Sequence, residues 1–334
     1  MSAWLPPRVI RRAVIDPLWL PVAVVLAAVF VVGALLGLLF APFTRRRRLL
    51  RFAVLGLAYV WMDVGLVLGC FWFWLRQPGA RRDAQLWRDR HAALLGRLLS
   101  QLMQVAGRVL GYRVELVGRP IELDPSRPLI MLARHGGPGD SFTLVHLLVT
   151  TYHRRPKVVL KQALQWDPGL DLLLSRLESY FLPSGSGAGE DRAQAVARMT
   201  AGLRSDEALL LFPEGANWTL RRHRRAVVRL LRAGSARRAA RVRNQRHVLP
   251  PRPGGTLASL NARNDTDVMI VAHTGLDTLV NPAQMWAAIP LQDRPMRIRP
   301  WLYSADSIPR DEESAHVWLE ARWAEIDQWI DSQR

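Results

Sequence analysis

Several residue types are scarce in this 334-residue chain, and each scarcity removes a class of function. There is one cysteine, Cys70, so neither a disulfide framework nor a cysteine-based zinc site can be built. The eight histidines show no H-E-x-x-H or H-x-x-E-H spacing, and no metal site is assigned. No G-x-S-x-G elbow occurs, and Cys70 lies within an apolar segment, so the chain offers no plausible covalent nucleophile. Lysine is limited to Lys157 and Lys161, which leaves arginine to carry a formal charge of +18. Carboxylates are missing altogether from Gly215 to Asn264.

What is present begins with two apolar runs. Pro17 to Thr44 is uncharged, and Phe52 to Leu75 carries one charge, Asp63. Each is long enough at the helical rise to span a hydrocarbon core. The first is too long for a signal-peptide core, and no small-x-small cleavage site follows it. The expectation is an integral membrane protein, with residues 1–82 an anchoring pair of helices and 83–334 a catalytic domain whose site faces the cytoplasm. Arg45, Arg46, Arg47, Arg48 and Arg51 lie between the runs, while Arg8, Arg11, Arg12, Arg76, Arg81 and Arg82 flank them. A spanning hairpin puts one of these groups on the wrong side of the positive-inside rule. One resolution is a segment lying in a single leaflet; Asp63 and the "CFWFWL" cluster suit an interface.

Beyond the apolar runs, Leu94, Leu95, Leu98, Leu99, Leu102 and Val105 recur at helical spacing within 83–110. Strands are expected at 112–118, 127–135, within "PKVVLKQAL", "SYFLPS" and "EALLLFPEG", and at 267–275. Helices begin at "SFTLVHLLVT", "PGLDLLLSRL" and "EDRAQAVARMTAGLR". Short apolar strands alternating with helices predict an α/β fold: a mostly parallel mixed sheet flanked by helices. Sites in such sheets gather beyond the carboxyl ends of strands.

Two unusual turns fall there. In "MLARHGGPGDSFTLV" an apolar run ends at His135, and a glycine-rich loop delivers Asp140 five residues later. A carboxylate brought back to an imidazole fixes its tautomer and leaves the other nitrogen able to take a proton from a hydroxyl. Gly136, Gly137 and Gly139 would keep side chains away from an approaching substrate. The alternative is that Asp140 or Ser141 only caps the next helix. In "LLLFPEGANWT", Glu214 sits on a Pro-Gly turn after a buried strand, where an exposed carboxylate is expected. An ordinary turn glutamate is the alternative.

The two turns together resemble blocks of the 1-acylglycerol-3-phosphate acyltransferase family, whose H-x4-D is matched by His135 to Asp140 and whose F-P-E-G is matched by Phe212 to Gly215. The lysocardiolipin acyltransferase-like subgroup is the most similar: "VLKQALQWDPGL", "HVLPPRPGG" and a closing "IPRDEESAHVWLEARW" match it, and the resemblance covers about residues 112–330. It implies an O-acyltransferase that moves a fatty acyl group from acyl-CoA or acyl carrier protein to a lysophospholipid hydroxyl. 1-Acylglycerol-3-phosphate is the first-choice acceptor, giving phosphatidate. It further implies His135 as general base, Asp140 as its support, and Glu214 and Gly215 at the acceptor's head. Lys161, Phe212 and Pro213 would lie along the donor or line the site, and no cofactor beyond the acyl donor is needed.

The chain departs from the family where an arginine is expected after the Glu-Gly pair: Ala216 and Asn217 stand there, and Pro183 and Ser184 replace a second arginine. Arg134, Arg221 or Arg222, with Asn217 beside them, are the substitutes available for an acceptor phosphate. The alternatives are another lysophospholipid or glycolipid acceptor, or a non-catalytic lipid-binding protein that keeps the fold. Residues 221–246 hold 11 arginines, with Val227, Leu230 and Leu231 on one face, and read as one basic amphipathic helix. Anionic membrane lipid is the expected partner of that helix; a solvated face is the bland alternative, and the lack of stacking aromatics argues against nucleic acid. His273, after "VMIVA", is read as a satisfied buried histidine, with lining the site as its other role.

Overall fold

The structure is a computed structural model that describes residues 5–76, 83–137, 139–183, 189–277, 282–292 and 294–334. Arg81, Arg82, Pro138 and Ser184, named above, lie outside the described residues. Long helices come first: α1 Arg8–Leu39, α2 Arg48–Arg76 and α3 Ala84–Leu110. Strands and helices then alternate as β1 Val114–Leu116, β2 Leu129–Ala133, α4 Asp140–Thr150, β3 Arg155–Lys161, α5 Pro168–Arg176 and β4 Tyr180–Leu182. The remainder runs α6 Gly189–Ala201, β5 Glu207–Leu211, α7 Leu220–Arg232, α8 Ala236–Asn244, α9 Pro253–Ala262 and β6 Asp267–Thr274. α10 Pro282–Ala288, β7 Met296–Tyr303 and α11 Glu312–Ser332 close the chain.

The chain divides into two compact units. The first takes in Met1–Arg113, Phe142–Gly185 and Met285–Arg294; the second takes in Val114–Ser141, Ser186–Gln284 and Pro295–Arg334. In the first, α1 and α2 are long and apolar enough to cross a membrane by length and composition. α3 starts where Asp83 accepts from the amides of Gln85 and Leu86, and it ends on Gly111 in the left-handed region. Its leucines at 94, 95, 98, 99 and 102 are buried, as their spacing predicts. Halfway along α2, Asp63 accepts from the Gly169 amide at 3.0 Å, and the Tyr59 hydroxyl donates to Asp167. Arg11 pairs with Asp171 of α5 at 2.9 Å. Polar groups set into the apolar helices thus hold the start of α5. β3 and β4 pair in parallel in this unit.

The second unit holds five strands in the order β1-β7-β6-β2-β5. β2 is parallel to both β5 and β6, and all three are buried along their length. Continuous apolar runs are what a sheet covered on both faces requires. β7 runs antiparallel to β6 and was not anticipated. Its sequence, "MRIRPWLY", has charges and a proline where a central strand should be apolar. The structure resolves the conflict: β1 pairs only with Met296 to Ile298, so Pro300 faces no β1 partner and its missing N–H costs no ladder bond. The basic stretch is two helices, α7 and α8, with Gly234 left-handed between them. The buried His223 ring donates from Nε2 to the Val242 carbonyl at 2.8 Å and joins the pair.

Candidate active site

Three adjacent parallel strands, β2, β5 and β6, end together, and the loops beyond them build the site. His135 follows β2, and its Nδ1 lies 2.8 Å from Asp140 Oδ2. That same oxygen accepts from the amides of Gly136 at 3.0 Å and Gly137 at 3.3 Å. Asp140 Oδ1 accepts from the Ser141 amide at 2.6 Å and its hydroxyl at 3.2 Å. Asp140 therefore both anchors the first turn of α4 and holds the histidine, so the two alternatives for it are one arrangement. Burial opposes its ionisation, but the bond from His135, the nearby His273 ring and the Gly137 amide outweigh it. The carboxyl is held below the usual aspartate range.

With Nδ1 committed to a carboxylate, the tautomer is fixed and Nε2 becomes the basic nitrogen. Among the described residues Nε2 has no hydrogen-bond partner, and the His135 side chain is 22 % exposed. The ring is reachable, and Phe212 lies against it with centroids 4.7 Å apart. Two of the three glycines are also required by close packing of the loop. A side-chain carbon on Gly136 would lie 2.7 Å from the Arg134 guanidinium, and one on Gly137 would lie 2.8 Å from the Leu276 carbonyl. The loop is pressed against its own support.

Glu214 differs from expectation: it is buried rather than exposed at the sheet edge. One oxygen accepts from the His135 amide at 3.4 Å and the other from the Leu249 amide at 3.0 Å. Burial raises its pKa to about 7, against the lowering effect of the Arg134 charge and those two amides. It ties the His135 loop to the 247–252 loop. Arg134, offered above as a phosphate ligand, is also buried and already engaged. Its Nε and Nη2 donate to the His247 carbonyl at 3.0 and 2.8 Å, and its Nη1 donates to the His273 carbonyl at 2.8 Å. The arginine next to the histidine is a clamp between three loops.

His273 is a buried histidine with its bonds satisfied. Its Nε2–H donates to the Arg134 carbonyl at 2.8 Å and lies 3.7 Å from Asp140 Oδ2. Burial pushes its pKa down to about 4, so the ring is neutral. Its place behind Asp140 was not assigned from sequence, because a histidine ending an apolar strand gives no sign of which loop it backs.

Pro213 is buried, and its carbonyl accepts from the Arg252 amide at 2.9 Å. The Asn217 carbonyl accepts from Arg222 Nη1 at 3.0 Å, while Arg221 and Arg222 are exposed in the first turn of α7. Gly215 is exposed and left-handed. Lys161 lies in the first unit, at the exposed end of β3. Among the described residues no group of three or more His, Cys, Asp or Glu could hold a metal ion.

A buried carboxylate holds a reachable imidazole beyond the parallel strands of an α/β fold, an arrangement that general-base chemistry could use. Residues 115–252 match the family model described as Acyltransferase. An uncharacterized acyltransferase of Schizosaccharomyces pombe is 22 % identical over 215 residues, covering 61 % of this chain. The chain spans about 59 % of the length of that relative. Among solved structures, the 1-acyl-sn-glycerophosphate acyltransferase PlsC of Thermotoga maritima is similar at 13 % identity and a TM-score of 0.45, over 82 % of this chain and 95 % of that one.

Proposed function

We propose that the protein is a membrane-bound O-acyltransferase that moves a fatty acyl group from acyl-CoA or acyl carrier protein to the hydroxyl of a lysophospholipid, with 1-acylglycerol-3-phosphate as the acceptor and phosphatidate as the product. The observation that carries the reading is the His135 Nδ1 to Asp140 contact of 2.8 Å, with Asp140 buried and held ionised. His135 Nε2 removes the acceptor hydroxyl proton as the oxygen attacks the thioester carbonyl. The C–O bond forms, the C–S bond breaks, and the thiolate leaves with the proton held on the imidazolium. Asp140 stabilises that imidazolium electrostatically. Direct transfer suits a chain without a plausible nucleophile.

Membrane attachment through α1 and α2, with the site on the cytoplasmic side, belongs to the same proposal. The polar ties at Tyr59 and Asp63, midway along α2, favour a helix lying along the membrane surface over one crossing it. A second acceptor class, another lysophospholipid or a glycolipid, is favoured by Ala216 and Asn217 standing where the resemblance places an arginine. The test is thiol release from acyl-CoA by the purified full chain in detergent, with a panel of acceptors. Release that depends on a lysophospholipid and disappears in His135→Ala is the expected result. Equal release by both proteins with every acceptor overturns the reading.

A further inference from the structure

The Glu214–Gly215 turn has a cation laid directly on it. Arg252 is fixed to the turn by its own amide, which donates to the Pro213 carbonyl at 2.9 Å. A side-chain carbon on Gly215 would come within 3.2 Å of the Arg252 guanidinium carbon and Nη1 and 3.3 Å of its Nε. The guanidinium of Arg252, itself an exposed residue, therefore lies against the glycine of the turn. Gly215 sits at φ +67°, and it is this left-handed backbone that strains a substitution there.

Partial burial and then the charges of Arg229 and Arg192 push the Arg252 pKa down, although the residue keeps an exposed surface. No carboxylate occurs in the sequence from Gly215 to Asn264. Among the described residues neither Arg252 nor Arg229 makes an ion pair, although Arg238 and Arg241 on the neighbouring helix both reach Glu320. Like charges gathered without a counter-charge are unfavourable unless an anion joins them. The turn leads to the base within one residue, because Glu214 accepts from the His135 amide.

We propose that Arg252 binds the phosphate group of a phosphorylated substrate at the Glu214–Gly215 turn. A guanidinium presents two parallel N–H donors to phosphate oxygens, a geometry that a lysine cannot reproduce. The phosphate has two possible sources: the acceptor's headgroup or the phosphates of a CoA donor. The proposal rests on the acyl-transfer reading for the identity of the ligand.

Steady-state kinetics of the full chain in detergent would compare wild type, Arg252→Gln and Arg252→Lys. Lysophosphatidate and monoacylglycerol serve as acceptors, the second lacking the phosphate. Arg252→Gln is expected to raise KM for lysophosphatidate by about tenfold or more, as loss of a charge-assisted bond would. kcat changes less, KM for monoacylglycerol stays within about twofold, and Arg252→Lys recovers only part of the loss. A rise in KM for acyl-CoA instead assigns the same phosphate site to the donor. Unchanged KM values for both phosphorylated substrates overturn the proposal. If wild type acylates neither acceptor, the acyl-transfer reading fails on its own. The site is then tested by thermal shift of His135→Ala protein with lysophosphatidate against monoacylglycerol. Equal shifts with and without Arg252→Gln overturn it.

Discussion

Two turns follow neighbouring parallel strands, and each delivers a buried carboxylate beside one histidine, yet their electrostatics are opposite. Asp140 has a ring nitrogen and two loop amides on one oxygen and Ser141 on the other, and it stays ionised. Glu214 has one backbone amide on each oxygen, and burial lifts its pKa to about 7. The two histidine rings separate them, since both carboxyls are almost fully buried: His135 and His273 lower Asp140, whereas at Glu214 burial outweighs the Arg134 charge and the amides. The first turn holds His135 with one ring nitrogen open; the second ties the His135 loop to its neighbour. A carboxylate in a motif thus reports a role only after its donors are counted.

The sharpest way to break this distinction is at the histidine. His135→Ala is expected to lower kcat for acyl transfer by roughly 10³-fold, the range of a lost general base, with little change in melting temperature. Asp140→Asn comes next, at about 10²-fold, because the amide cannot stabilise the imidazolium. Asp140 also carries a pH signature. Its depressed carboxyl contributes stability that is present above the ordinary aspartate value and lost as pH falls through its folded value. Chemical denaturation from about pH 5 down to about pH 2 should show that acid loss in wild type and a shallower one in Asp140→Asn.

The clamp residues should instead lose stability. Arg134→Met removes three donors from two carbonyls and the cation that helps hold Asp277 at a pKa of about 2. Breaking a buried charge network in this way costs about 3–5 kcal/mol, read as a lower denaturation midpoint. Glu214→Gln sharpens the contrast through the sign of its pH dependence. A carboxyl raised on folding binds its proton more tightly in the folded chain. The stability it contributes is therefore full at acid pH, falls as pH rises from the ordinary glutamate value to about 7, and is level above that. The slope over that window is at most about 1.4 kcal/mol per pH unit, and Glu214→Gln should abolish it. A wild-type protein equally stable at pH 5 and pH 8 would place Glu214 with Asp140 as an ionised group.

Much of this was legible in the chain. The apolar runs at 129–133, 207–211 and 267–274 are the three buried parallel strands, and the H-x4-D spacing led to the His135–Asp140 bond. Periodicity reports whether a strand is buried, and spacing along a short loop limits where its ends meet. Less legible were features set by partners distant in sequence. Arg134 reads as a basic residue beside a base, but its carbonyl acceptors belong to residues 247 and 273. β7 was missed because its charges and proline are tolerated only beside a three-residue β1. The break between α7 and α8 rests on Gly234, a residue that is also tolerated inside helices.

The smallest effect is expected at the start of α7, where Arg221 and Arg222 are exposed. Their charges sit at the helix N-terminus, which disfavours cations, and Arg222 already donates to the Asn217 carbonyl. Exchange of either for glutamine should move stability by no more than about 0.5 kcal/mol. KM for lysophosphatidate should change by less than about threefold, because neither side chain lies against the Glu214–Gly215 turn as Arg252 does, and exposed charges act through solvent at reduced strength. The comparison with Arg252 makes the measurement informative. A tenfold rise at Arg222→Gln with none at Arg252→Gln would move the anion from the glycine turn to the helix start. The reverse pattern places the anion beside the loop that carries the base, where the Glu214 bond to the His135 amide keeps the turn and the histidine in register.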